Sequence, residues 1–470
     1  VNAKAANRLF FNGLDGATGR YLLPPMTSRE MVSLGRRVKV EACPQQLGAS
    51  GDSGRDPVFD CDPRNLAETG WGVVFAPGTP EKVKQALSPL LAHRREQAGA
   101  CRGSYYRECE YVAGEGAAQF LTRQGAKSSS CADPDRFPYH VLLVGDPEAI
   151  PFSFQSELDV NYGVGRIHFD SLVAYRRYAA SVVDAETGKR PSSLPRQAAF
   201  FGVRNSGDPA TGQTADELVT PLAEALRGKE KTWDLRAYLG PQADKARLSR
   251  LLGGADTPAL LFSASHGVGF PREDPRQLKR QGALVCQDWP GPGDEGGVDR
   301  EQYFAAGDLS RDAVLHGLIA FFFACYSGGT PRRDNFAPGA LGKPPEIAPR
   351  AFVAQLPQRL LAHPNGGALA VIGHVDRAWT TSFAGSAQGE GVDIFRNTLR
   401  RLLDGHTVGW AMEYFNQAHA VMAAELARLW EAQHAWEDVD PAWFSALWMA
   451  HNDARNFVVF GDPAVKLAGG

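Results

Sequence analysis

The chain has 470 residues, 43% of them hydrophobic and 22% charged, and its 50 basic and 53 acidic side chains leave a net charge of −3. That balance gives no electrostatic support for a nucleic-acid partner, and no apolar run approaches the roughly 20 residues needed to span a bilayer. Seven cysteines at irregular spacing, none in a C-x-x-C pair, argue against a disulfide framework and a zinc site, and fit a reducing cytoplasm.

In chain order, residues 1–64 are rich in Gly, Pro and Asp and read as a loop-rich lead-in with one helix at Ser28–Val38. The opening "VNAKAANRLFFNG" lacks the apolar core and cleavage site of a secretory signal. "GLDGATG" does not follow a strand and no G-K-[ST] follows it, so phosphate cradling is not expected. The first clear element is an apolar strand at Gly72–Ala76, then a Pro/Gly turn, then a helix with Val83, Leu87, Leu90 and Leu91 at helical spacing. "YHVLLVGDPEAIPF" is a second continuous apolar strand. "YGVGRIHFDSLVAYRRYAASVVDAE" sets a short strand before a helix with an Asp/Ser cap.

After a polar linker at about residues 186–195 the pattern repeats. "QAAFFGV", "PALLFSAS", "GLIAFFFAC" and "GGALAVIGHV" read as strands, "TADELVTPLAEAL" as a capped helix, and Val408 to about His434 as a long helix. "NFVVFGDPAVKL" supplies a last strand. Continuous apolar strands alternating with helices predict an α/β fold, a mostly parallel sheet covered on both faces. The expected organisation is a lead-in (1–64), an amino-terminal α/β subdomain (65–190) and a second subdomain (191–470).

Open parallel sheets form sites at the carboxyl ends of their strands. Two strand ends carry reactive groups: "LLFSASHG" ends in His266-Gly267, and "FFFACYSG" in Ala324-Cys325. Neighbouring strands would bring Cys325 and His266 together. A free thiol, with a pKa of about 8.5, is only a few per cent ionised at neutral pH. An imidazole beside it favours the thiolate and can protonate a departing amine. The N–H groups of Gly267 and Cys325 could form an oxyanion hole.

An apolar strand ending in His-Gly, followed by one ending in Ala-Cys, resembles the caspase-like cysteine peptidases. Within them the chain resembles the gingipain type over roughly residues 65–470, in "YHVLLVGDPEAIP", "LDVNYGVGRIHF", "ALLFSASHG", "IAFFFAC", "GGALAVIGHVDRAW" and "NFVVFGDPAVKL". Between His266 and Cys325 this chain is longer, with a Pro/Gly/Arg-rich insertion. The resemblance implies a caspase-like three-layer α/β/α sandwich whose catalytic subdomain ends in the last strand, and a peptidase needing no cofactor. Its catalytic residues would be Cys325 and His266, with Trp379 walling the substrate pocket. An acid pairing with a substrate Arg would be Asp216, with Asp376 the next candidate; Asp216 is equally suited to be an acid in the first turn of its helix. At the place where relatives can set a carboxylate behind the histidine stand Asn205 and, nearby, Asp208. That leaves a Cys–His dyad as the expected machinery. Partners would be protein or peptide substrates and a regulatory protein, as in bacterial stress, cell-death or antiviral systems. The Gly/Pro-rich loop 328–350 offers Arg332 and Arg333 as self-cleavage sites and reads as mobile. The rivals are a silent scaffold with the same fold and an acyltransferase using the same dyad. His363, His374 and His451 read as surface or boundary residues.

Overall fold

The computed structural model describes residues 8–9, 13–27, 30 and 61–467, the last range apart from 129–130, 228–231, 294–295, 335–343, 381–382, 384–389 and 436–438. The expected helix at Ser28–Val38 lies outside the described residues except for Glu30.

One ten-stranded sheet dominates. Its strands are β1 (Trp71–Phe75), β2 (Tyr106–Glu110), β3 (His140–Val144), β4 (Gly163–Ile167), β5 (Gln197–Gly202), β6 (Asp234–Leu239), β7 (Leu260–Ala264), β8 (Ile319–Phe323), β9 (Ala370–His374) and β10 (Phe457–Gly461). Across the sheet the order is β2-β1-β3-β4-β10-β9-β8-β7-β5-β6. Every neighbouring pair is parallel except β9–β10. The sheet is therefore two five-stranded parallel halves of opposite direction, joined at one antiparallel seam.

The last strand, which the resemblance implied would end the catalytic half, forms the seam: it pairs antiparallel with β9 along its length and parallel with β4. Asp462, just after it, accepts from the Trp71 indole at 2.9 Å and pairs with the buried Arg94 at 2.7 Å. Trp71 opens β1 and Arg94 lies on the following helix, Glu81–Gly99, so the segment just past β10 is locked into the first half.

Both sheet faces are covered, as continuous apolar strands require. Trp71, Val73 and Phe75 pack with Leu87 and Leu90 of helix Glu81–Gly99 and with Tyr178 and Val182 of helix Leu172–Thr187. Alternate side chains, Val74, Val141 and Leu143, pack with Phe120 and Phe154 on the opposite face. In the second half Phe321 and Phe323 meet Phe395 and Phe457 edge-on, tilted or stacked at 5.5–6.1 Å. The result is a three-layer α/β/α sandwich.

The helix expected from "TADELV" begins earlier, at Pro209, with Asp208 as its N-cap. Pro221 has no N–H to return to the preceding turn. The helix widens just before it, over Thr214–Val219, where the Thr220 N–H reaches the carbonyl of Ala215, five residues back. The long helix expected from Val408 is interrupted at Met412 and continues as Glu413–His434. The insertion between His266 and Cys325 is structured. Its strand Ala283–Val285 pairs with Gly267–Gly269 and Tyr303–Phe304, and Gly13–Asp15 completes this four-stranded sheet from the far end of the chain.

Candidate active site

Strands β7 and β8 lie side by side in register, with Ala264 opposite Phe323. His266 and Cys325 each follow two residues beyond that pair, so parallel pairing carries both to one edge of the sheet. Both are fully buried, at 0% exposure. The residue after the histidine has to be small. A methyl on Gly267 would fall 1.8 Å from the Cys325 carbonyl oxygen, which no side chain survives.

The chain turns sharply at the thiol. Tyr326 is the one described non-glycine residue with positive φ, at 58°, a conformation that costs free energy and persists only where the surroundings impose it. The surroundings do so. The Tyr326 N–H donates to the Asp376 carbonyl at 2.8 Å, Gly328 N–H to the His374 carbonyl at 2.9 Å, and His374 N–H to the Ser327 hydroxyl at 3.0 Å. A buried fork from Arg377 grips both oxygens of Asp334 at 2.7 Å. The loop after Cys325 is thus fastened to the loop after β9. From that second loop the Ala378 N–H donates to the Cys325 sulfur at 3.1 Å. Burial pushes the thiol pKa up, while the Ala378 N–H and the Arg377 charge act against it.

The carboxylate behind the histidine is Asp208. Its Oδ2 sits 2.6 Å from His266 Nε2 and accepts from the Thr211 hydroxyl at 2.7 Å. Its Oδ1 accepts from the Tyr21 hydroxyl at 2.7 Å and the Ala210 N–H at 3.2 Å. Burial alone would raise this carboxyl. The His266 charge and hydrogen bond, with Tyr21 and Thr211, outweigh it and hold the pKa at about 2. Of the two residues expected near the histidine, Asp208 is the one that contacts it, which adds a carboxylate to the expected Cys325 and His266 pair. Asn205 turns its amide the other way, donating to the carbonyls of Cys286 at 3.1 Å and Trp289 at 2.7 Å. It shapes the loop that presents Asp208. With Nε2 engaged, His266 Nδ1 is the ring nitrogen left without a hydrogen-bond partner among the described residues.

The other site residues scatter more. Asp216 lies on the solvent side of the widened helical turn, about half exposed, and is ion-paired with Arg204. It sits within the helix rather than in the first turn, because the helix starts at Pro209. Asp376 is buried beside the thiol loop and lines a cleft of about 360 Å³ together with Phe152, Ser156, Arg332, Arg333 and Arg455. Its Oδ1 accepts from Arg377 N–H at 2.8 Å, and its Oδ2 has no partner among the described residues. Burial pushes its pKa up to about 6, against the pull of Arg377. Trp379 is fully buried, its ring 6.4 Å from Trp448, within a cluster that includes Leu426 and Phe444. His374 is no boundary residue: it is fully buried, 3.3 Å from Asp453, whose charge raises its pKa against the effect of burial. His363 is buried too and meets the Ser310 carbonyl at 2.9 Å.

Three participants escaped the sequence reading. Tyr21 comes from the lead-in, whose Gly, Pro and Asp content predicts a loop. Trp289, in the insertion, presents its ring edge-on to His266 at 5.7 Å; a lone Trp in the Gly/Pro-rich "QDWPGPG" was the available signal. Ala378 acts through its backbone, which leaves no trace in sequence. The loop expected to be mobile is partly fastened, since Gly329–Thr330 pairs with Phe352–Val353. Arg332 and Arg333 both approach Glu346, and residues 335–343 lie outside the described residues. Among the described residues no cluster of three or more His, Cys, Asp or Glu side chains could hold a metal ion, and no helix is long and apolar enough to cross a membrane.

Solved structures resemble the chain, among them the following three. That of the Arg-specific cysteine proteinase gingipain R is 13% identical, with a TM-score of 0.49, and the match covers 86% of this chain and 78% of that one. One described as the structure of a protease is 14% identical, with a TM-score of 0.49, covering 86% and 80%. The complex of Porphyromonas gingivalis RgpB pro- and mature domains is 13% identical, with a TM-score of 0.47, covering 85% and 80%. A comparison with curated proteins found no match. The model of peptidase family C25 matches residues 78–468, and over that span lie nine of the ten sheet strands together with Asp208, His266 and Cys325. The chain belongs to peptidase family C25, a family of cysteine-type peptidases.

Proposed function

We propose that the protein is a cysteine endopeptidase in which Cys325 is the nucleophile, His266 the general acid and base, and Asp208 the group that orients and charges the imidazole. The observation that carries this reading is the Asp208–His266 contact of 2.6 Å at a strand end in register with the one bearing Cys325. The thiolate sulfur attacks the scissile carbonyl carbon, and the carbonyl electron pair moves to oxygen. Backbone N–H groups of Gly267 and Cys325 receive that oxyanion; loss of one such donor typically costs about 2.7–4 kcal/mol. As the C–N bond breaks, His266 Nδ1 gives its proton to the leaving amine. Water then attacks the thioester, passes a proton to Nδ1, and frees the acid and the thiolate, which restores the starting ion pair. Asp208 remains ionised and stabilises the imidazolium.

Cleavage after Arg or Lys is part of the proposal, with Asp376 as the selecting carboxylate. Its buried Oδ2 borders a cleft beside the thiol loop, whereas the Asp216 charge is already met by Arg204. A buried carboxylate holds a guanidinium through charge-assisted hydrogen bonds. The proposal also covers setting: a regulated intracellular protease of bacterial stress, cell-death or defence systems. Six described cysteines are free thiols, which suits a reducing compartment. The test is a peptide library incubated with the protein and with Cys325→Ala. Cuts after Arg or Lys that vanish in the variant are expected; equal cutting by both proteins refutes the assignment.

A further inference from the structure

The loop after β9 is held at both ends by one side chain from a distant helix. Asp453 lies on the helix Pro441–Arg455 and is buried. Its Oδ1 accepts from the Trp379 N–H at 2.9 Å and sits 3.3 Å from His374 Nε2. His374 ends β9, so one carboxylate oxygen closes residues 374–379 into a ring. His374 grips the same loop from inside. Its Nδ1 lies 2.8 Å from the Asp376 carbonyl oxygen, to which the Tyr326 N–H also donates at 2.8 Å. The Asp376 N–H is further from that nitrogen, at 3.3 Å, so the shorter contact selects the form in which Nδ1 donates. A lone pair on Nε2 would face the Asp453 carboxylate and be repelled. Both ring nitrogens therefore carry hydrogen, and the pair is a buried imidazolium with a carboxylate. Within the closed ring stands Ala378, whose N–H donates to the Cys325 sulfur at 3.1 Å.

We propose that Asp453, together with His374, is a positioning residue for the nucleophile: the pair sets the Ala378 N–H on the sulfur and so governs how readily Cys325 ionises. The inference rests on the reading of Cys325 as the nucleophile and adds what tunes it. Three features carry it. The N–H groups of Ala378 and Trp379 are consecutive, one on the sulfur and the next on Asp453, so releasing the second turns the peptide that carries the first. Cys325 has no exposed surface, so a thiolate there is stabilised by fixed donors rather than by water, and a hydrogen bond to an ionised acceptor is about twice as strong as a neutral one. Asp453 does not line the cleft that Asp376 borders, so it acts through the loop and not on a substrate. The charges around the thiol give the effect a distinctive sign. Arg377 lowers the thiol pKa, while Asp376 and Asp453 raise it; His266 stands across the strand pair. Deleting the Asp453 charge alone would therefore lower the thiol pKa. Losing the Ala378 N–H raises it.

The experiment compares Asp453→Ala, which removes the grip, with Asp453→Asn, whose amide oxygen can still accept from the Trp379 N–H. Both are made in the full chain and checked for retained fold by thermal melting. Hydrogen exchange at the Ala378 amide should quicken by roughly tenfold or more in Asp453→Ala, as where a local hydrogen bond opens. The acid limb of kcat/KM, which reports ionisation of the thiol in the free enzyme, should move up by about one pH unit, tenfold in the ionisation equilibrium. The loss at pH 7 should fall on kcat and not on KM. Asp453→Asn should stay near the unaltered chain in both measurements. A third variant guards against a misfolded Asp453→Ala: His374→Leu combined with Asp453→Leu replaces a buried ion pair by apolar side chains, a change that is often neutral or stabilising. It leaves the net charge as it was and should move the acid limb up in the same way. An acid limb that stays in place or moves down in a folded grip-less variant overturns the proposal. So does unchanged exchange at Ala378, or an Asn variant as impaired as the Ala variant. The exchange reports the grip whether or not the thiol catalyses, so its failure is separate from a failure of Cys325→Ala to abolish peptidase activity.

Discussion

Replacing Asp208 by Asn isolates the charge behind His266, because nearly everything else at that position survives. Asn caps a helix as well as Asp does, so the helix that starts at Pro209 keeps its first turn. The size is matched, and the single amide oxygen can still accept from Tyr21 and the Ala210 N–H, while the amide nitrogen takes the place of the oxygen that faces Thr211 and His266. What disappears is the anion 2.6 Å from Nε2, and an Asn amide turned toward that nitrogen favours the wrong tautomer. The Asp208 carboxyl is held at about 2, below its ordinary 3.8. That gap corresponds to about 2.5 kcal/mol in favour of the anion in this buried site. If the imidazolium draws most of that, kcat/KM should fall roughly 70-fold for Asp208→Asn. Steady-state hydrolysis of a fluorogenic Arg peptide at pH 7 reads it directly. A loss smaller than about threefold would refute the reasoning, since the charge would then matter only to folding. Stability supplies a second readout with a defined sign. The folded pKa is depressed, so the contribution is fully present above pH 4 and is lost as pH falls through 2. The stability difference between the two proteins should therefore shrink over that window.

Arg377→Ala should destabilise the fold by about 3–5 kcal/mol in urea unfolding, because it leaves the Asp334 carboxylate buried without the two-pronged partner that holds the thiol loop. Selectivity for an Arg over a neutral peptide should decline as pH falls through about 6, where Asp376 takes up its proton; Asp376→Asn should flatten that profile, and Asp216→Ala should leave it in place. Slow self-cleavage after Arg332 or Arg333 is expected, since both are exposed and lie just past the thiol loop; mass spectrometry beside Cys325→Ala checks it, and an intact chain that still cuts an Arg substrate in trans argues against it.

Much of the architecture was written in local pattern. Buried parallel strands are continuous apolar runs, so β1, β3, β5, β7, β8 and β9 announce themselves. Edge strands do not. β2 reads "YRECE" and β6 "DLRAYL", with charges on their open faces, and both were overlooked because a strand with one free edge has no need of a fully apolar sequence. His266 and Cys325 were legible for the same reason as their strands: each stands where an apolar run stops. The identity of the third group was not. Asn205 and Asp208 lie three residues apart in one loop, and only the fold shows the first turned onto the carbonyls of Cys286 and Trp289 and the second onto the imidazole. Tertiary structure alone likewise set β10 beside β4 and brought Gly13–Leu22 across the thiol. Contacts between residues hundreds of positions apart leave no periodicity behind. They depend on which sheet edge remains open once the local elements have formed, and in this chain the edge beside His266 is filled by Gly13–Asp15.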